Sequence, residues 1–258
     1  MNAPRSGRVA IAVAAVGVAA LAALTASTGA GASSPAATPD ATAPPTAKIA
    51  RGQNLFELHC ATCHGADGRG TRQGPSVVHA GAAAADFQLS TGRMPLDAPT
   101  SAPVRKPPAF GRADIDAITA FVGSLDDGPP VPDVDVKHAD ISAGQQLFSS
   151  NCAPCHSAAG AGGALGRGIT APSLSDATPR QVVEAMRTGP GPMPVFGSDT
   201  LSPAQANDIA RYVQYLHHPT NAGGLSLGRV GPIPEGFVAW LVGLGVLLLF
   251  CRWIGARE

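Results

Sequence analysis

The sequence predicts an all-α protein in which one small helical domain occurs twice, set between two apolar segments. Three observations carry that reading: an internal repeat, helix-spaced apolar sets closing each copy, and no stretch with sustained strand alternation. Gly52-Gln53-Asn54-Leu55-Phe56 recurs as Gly144-Gln145-Gln146-Leu147-Phe148, an offset of 92 residues. Cys60-Ala61-Thr62-Cys63-His64 recurs as Cys152-Ala153-Pro154-Cys155-His156 at the same offset. Ile118, Phe121, Val122 and Leu125 match Ile209, Tyr212, Val213 and Leu216, and each set follows the i, i+3, i+4, i+7 rule of an amphipathic helix.

Composition agrees with small domains and loose connections. Of 258 residues only 14% are charged, while Gly (31) and Pro (24) run high. Formal charge is zero and no basic block exists, which disfavours a nucleic-acid partner. Five cysteines are too few for a disulfide scaffold and enough for metal or cofactor sites.

The first segment, residues 1–32, reads as an export signal or a retained transmembrane helix. Val9 to Leu24 is uncharged, follows Arg5 and Arg8, and runs into Ala30-Gly31-Ala32. Residues 33–47, almost wholly Ala, Pro, Ser and Thr, read as an extended spacer. The first domain is expected at 48–126 and the second at 141–218. Between them, 127–140 holds Gly128-Pro129-Pro130-Val131-Pro132 and several acids, and reads as a second spacer. In the second domain Ser142 with Gln145 suggests a capping box, and Ser202-Pro203-Ala204-Gln205 another. Thr178-Pro179-Arg180-Gln181 should start a helix carrying Val182, Val183 and Met186, which Gly189 could end. A linker at 219–235 leads to a transmembrane helix at 236–254. Trp240 and Trp253 lie near its ends, and Arg252 and Arg257 follow, so the carboxy terminus is expected in the cytoplasm and the domains outside. From Ser33 to Gly228 there are 16 acidic and 13 basic residues, a net charge of −3 that would suit a positively charged partner face.

The chemistry rests on the two C-x-x-C-H motifs. Thiols at i and i+3 stand one helical turn apart and can each form a thioether to one haem vinyl, while the adjacent histidine reaches the iron from one face. Two complete motifs at equivalent places predict two covalently bound haem c groups: Cys60, Cys63 and His64 for one, Cys152, Cys155 and His156 for the other. A four-thiolate zinc site would have to join pairs separated by 88 residues and would not need the histidines. Two redox disulfides normally belong to an α/β domain. For the second axial position, Met94 and Met193 stand out, each before proline in a Gly- and Pro-stiffened loop, 30 and 37 residues after His64 and His156. Met186 is expected in the core. His59 and His79 suit surface or propionate contacts, with His79 also an exchangeable ligand in a peroxidase reading, and Arg93, Arg105 and Arg112 suit propionates or a solvated face. Membrane packing is the role expected of Cys251.

These motifs resemble class I cytochrome c domains in tandem, and with both terminal segments the whole chain resembles the dihaem cytochrome c subunit of the actinobacterial cytochrome bc complex. The resemblance implies a membrane-anchored electron relay of aerobic respiration, the electron-transfer subunit of a quinol–cytochrome c oxidoreductase (translocase) with no substrate turnover of its own. Implied partners are cytochrome b and Rieske iron–sulfur subunits, an aa3-type cytochrome c oxidase, and the membrane. It carries over to Cys60, Cys63, His64 and Met94 for the first haem and Cys152, Cys155, His156 and Met193 for the second. A dihaem peroxidase would need one displaceable ligand, and a gas sensor would need an output domain. One departure between the repeats is plain: 24 residues run from Met94 to Ile118 against 16 from Met193 to Ile209, an insertion that could contact a partner.

Overall fold

A computed structural model of the chain describes residues 45–220 and 232–255. The expected signal or anchor at 1–32, and most of the linkers 33–47 and 219–235, lie outside these residues. The all-α expectation holds, with helices α1 (Pro45–His59), α2 (Ala61–His64), α3 (Gly81–Ser90), α4 (Arg112–Gly123), α5 (Ile141–Asn151), α6 (Ala153–His156), α7 (Pro179–Thr188), α8 (Pro203–His217) and α9 (Pro232–Gly255). One short antiparallel hairpin, β1 (Gly163–Gly166) and β2 (Ile169–Ala171), was not expected. Its turn uses Arg167 and Gly168, both at positive φ (49° and 75°), the hand that matches strand twist in a two-residue loop.

Each domain is organised by one crossing of its first and last helices, α1 on α4 and α5 on α8. The repeated glycine marks the crossing point. A Cβ on Gly52 would lie 1.9 Å from the Ala117 carbonyl oxygen, and one on Gly144 2.0 Å from that of Asp208, so only glycine lets the two backbones meet. One turn further on, Phe56 packs on Phe121 with ring centroids 5.2 Å apart, and Phe148 on Tyr212 at 5.4 Å. Around these pairs the first core adds Leu89, Ile115, Ile118 and Val122, and the second adds Val182, Val183, Met186, Ile209 and Val213. Each such side chain stabilises its domain by roughly 1.5–3 kcal/mol when fully buried.

Helix ends follow local chemistry, with one correction. Thr178 with Gln181 and Ser202 with Gln205 form reciprocal capping boxes, each with proline in the first turn, and Gly189 ends α7 at φ 58°. For α5 the cap is Asp140, not the Ser142 and Gln145 pair: its carboxylate accepts from the backbone N–H of Ser142 at 2.7 Å and of Ala143 at 3.1 Å. A carboxylate serves two donors and complements the positive end of the helix dipole, whereas Ser142 already lies inside the first turn.

Helix α3 had no sequence signature, because its run of alanines shows no apolar periodicity. It packs against α4 of its own domain and α7 of the other, so it forms the seam between the domains. Segment 127–140 contains no helix or strand, yet it is fastened at both ends. The Pro129 carbonyl accepts from Ala83 N–H at 2.9 Å, Val134 and Val136 pack on the second core, and Asp140 N–H donates to Asp208 at 2.8 Å. In α9, Glu235–Gly255 is 21 residues long with a mean hydropathy of 2.2, enough to cross a membrane. Its Trp240, Leu241, Leu249 and Trp253 are exposed.

Candidate haem-binding sites

The two C-x-x-C-H motifs adopt the same local structure. Cys60 leaves α1 with its N–H on the Phe56 carbonyl (2.8 Å), and its own carbonyl accepts from His64 N–H (2.9 Å). Cys152 repeats both bonds, to Phe148 at 2.8 Å and from His156 at 2.9 Å. The first thiol of each motif is the N-cap of the short helix, α2 or α6, that carries the second, so the two stand about one turn apart, and all four are free. Among the described residues no three His, Cys, Asp or Glu side chains converge as a metal cluster. Burial, with a lesser contribution from the second thiol, pushes Cys60 and Cys152 up to about 11.

Each histidine is held by a backbone carbonyl. His64 Nδ1 lies 2.8 Å from the Pro75 oxygen and His156 Nδ1 3.0 Å from that of Pro172. A carbonyl can only accept, so Nδ1 carries the proton and the Nε2 lone pair is free for a metal. The loops that bring these carbonyls back are also repeated: Gly70 N–H donates to His64 O, and Gly162 N–H to His156 O. Positive φ recurs at Gly65, Gly68 and Gly70 and at Ser157, Gly160 and Gly162, with serine tolerated at one of the six.

Met94 and Met193 are both half-buried and pack against the cores of their domains. Their loops begin alike. Thr91 donates through its hydroxyl to Phe87 O (2.6 Å) and Thr188 to Glu184 O (2.8 Å), closing α3 and α7 before a positive-φ glycine. They then diverge. Met94 N–H returns to Gln88 O, and the longer first loop crosses back so that Lys106 N–H reaches Thr91 O. Met193 N–H reaches only Pro190 O, and Phe196 N–H pins the shorter loop to Met186 O.

The remaining candidates separate. Met186 is in the core, as expected. His79 is exposed and pairs with Asp126, His59 meets the edge of Phe110, and His217 bonds the Leu174 carbonyl at 2.9 Å. Arg112 is committed to Asp86 and Asp116. Arg105, in the insertion, donates to Gln181 of α7 at 2.8 Å, so the extra residues reach the other domain of the same chain. Arg93 lies over the Phe87 ring at 4.9 Å with a buried Nη1 that has no acceptor, and burial lowers its proton affinity. An orphaned guanidinium donor beside a loop methionine fits the propionate of a haem, as the free thiols and carbonyl-fixed imidazoles fit its vinyls and iron.

Sequence reasoning missed Pro75 and Pro172, whose role is played by backbone oxygens that any residue type carries. It also missed Asp86 and Glu184, buried between the domains.

Residues 49–126 match the family described as cytochrome c, and residues 139–213 match cytochrome C oxidase, cbb3-type, subunit III. Two cytochrome c domains imply c-type haem. The cytochrome bc1 complex cytochrome c subunit of Mycobacterium leprae is 41% identical over 221 residues, 82% of this chain and 76% of that one. That of Corynebacterium diphtheriae is 36% identical over 254 residues, 90% of each chain. A more distant likeness, 31% over 65% of this chain, is to the cbb3-type cytochrome c oxidase subunit CcoP of Azospirillum. The likeness to the first two relatives runs through both repeated domains, and on that ground the chain belongs to the family of cytochrome bc1 complex cytochrome c subunits, proteins of electron transfer.

Proposed function

We propose that the chain is a membrane-anchored dihaem relay that carries electrons from the quinol-oxidising bc complex to an aa3-type terminal oxidase. The observation that carries this reading is the duplicated arrangement of free thiol pair and carbonyl-fixed imidazole, His64 on Pro75 and His156 on Pro172. Haem c bound at such a site supplies one-electron Fe(III)/Fe(II) chemistry without exchange of ligands. Cys60 and Cys63, and Cys152 and Cys155, hold one haem each by thioethers. His64 and His156, oriented by the Nδ1–H bond to the proline carbonyl, would offer Nε2 to the iron. Met94 and Met193, on loops tied to the domain cores, would supply a soft sulfur ligand to the iron. Arg93, whose buried Nη1 lacks an acceptor, would hold a propionate of the first haem. Cytochrome b and the Rieske iron–sulfur protein are the neighbours on the donor side. Helix α9 anchors the chain with both domains outside and the carboxy terminus in the cytoplasm, supported by Arg252 and Arg257 at its end.

The test is haem stoichiometry combined with loop replacement. The purified chain should retain two haems after acid–acetone extraction. Met94→Ala and Met193→Ala should each leave the haems attached, remove one of two sulfur-to-iron charge-transfer bands and lower one potential. One haem per chain, or two bands surviving in the double variant, would refute the reading.

A further inference from the structure

The seam between the domains buries two acids. Asp86 on α3 and Glu184 on α7 both have 0% exposure, and they come from different domains. Arg112 of α4 bonds Asp86 Oδ1 at 2.5 Å, while Arg180 of α7 stands 3.8 Å from Asp86 Oδ2. Three oxygens, Asp86 Oδ2 and both of Glu184, receive no hydrogen bond from any described donor. Two facing carboxylates with three empty acceptor sites would be strongly unfavourable, and one added proton changes the balance, because a protonated carboxyl becomes the missing donor.

We propose that Asp86 and Glu184 form a one-proton latch: docking of the two domains traps a proton on Glu184, which donates to Asp86, so the domains hold together more tightly as the surroundings acidify.

The groups acting on Glu184 bear this out. Burial, followed by the hydrogen bond and charge of Asp86, raises it from 4.5 to about 9, against the smaller opposing pull of Arg180 and Arg112. These are the charged groups facing it from α3, α7 and α4. Helix α8, also packed on α7, presents Ala206, Ile209, Ala210 and Val213 to the shared core. In separated domains Glu184 would ionise in the ordinary carboxyl range. Between that range and about 9 the docked state therefore binds one more proton. Docking is at full strength below the ordinary range and weakens by about tenfold per pH unit through the window. Gln181, one turn before Glu184, adds pH-independent contacts to Arg105 and to Ser90 Oγ (3.3 Å), which keep the seam aligned.

The experiment uses the full haem-loaded chain in detergent. Infrared spectra at neutral pH should contain the C=O stretch of a buried protonated carboxylic acid. It should vanish in Glu184→Gln and titrate away in the native chain only near pH 9. Spin labels at positions 48 and 167, one in each domain, should show a longer-distance population growing from about pH 5 to about pH 9 in the native chain. Glu184→Gln, which keeps a donor toward Asp86 but cannot ionise, should show no such growth. A carboxyl band unchanged in Glu184→Gln, one that titrates like a surface acid, or the same distance response in both proteins overturns the latch. The native titration needs no variant, so failure of Glu184→Gln to assemble would not protect the proposal.

Discussion

The first and second domains share an interior and differ in their loops. Both cross their terminal helices at a glycine, stack an aromatic pair beside it, and hold a C-x-x-C-H histidine by a returning carbonyl. They place their extra residues differently. The first lengthens the loop after Met94, which sends Arg105 across the seam to Gln181. The second adds the 163–171 hairpin in the loop between its motif and α7 and leaves Leu165 and Ile169 exposed. The interior and the hold on the motif histidine are thus copied, while the contact across the seam made by Arg105 is added to a single copy.

The largest expected effect tests whether the interiors are equivalent. Gly52→Ala and Gly144→Ala each drive a methyl group into a carbonyl on the facing helix, and each should cost about 3 kcal/mol or prevent assembly of its domain. Denaturant titration, followed through the absorbance of haem retained in each single variant, measures it. Unequal losses would break the equivalence. Next is Asp140→Ala, which removes the side-chain cap of α5 and should cost the second domain about 1 kcal/mol. That corresponds to a fall of about 4–8 °C in Tm for a domain of this size, with α1 of the first domain unaffected in hydrogen exchange. Smallest is Gly111→Ser. Gly111 caps α4 with no side chain, its φ of −67° suits any residue, and a Cβ there meets nothing within 4 Å. A serine cap should add a few tenths of a kcal/mol to the first domain, seen as slower exchange in the first turn of α4.

How much of this was legible depended on whether a signal was local. The thiol pairs, the closing helices α4 and α8, the Thr178 and Ser202 boxes and the stop at Gly189 are written in neighbouring residues, and they could be read. Helix α3 could not, since alanines alone mark no face and its burial comes from α4 and α7. The hairpin was hidden because its two strands are four and three residues long, too short for alternation to register. Pro75 and Pro172 act through oxygens common to every residue. Asp86 and Glu184 lie far apart in the sequence with no motif to link them, and only docking of the domains brings them together. Asp140 is masked in the sequence by Ser142, which with Gln145 fits the capping-box pattern two residues later.

The tether between the domains sets a limit on motion. Its first end is tied at Pro129 and its second at Val134, leaving four residues, Pro130 to Asp133, without either anchor. At about 3.5 Å per extended residue, the anchor points cannot part by more than roughly 18 Å. Three of the tether residues from 129 to 132 are prolines, which makes the span a short stiff hinge and not a leash. An opened pair of domains therefore stays at high effective concentration, and reclosing is an intramolecular step whose rate is independent of how much protein is present.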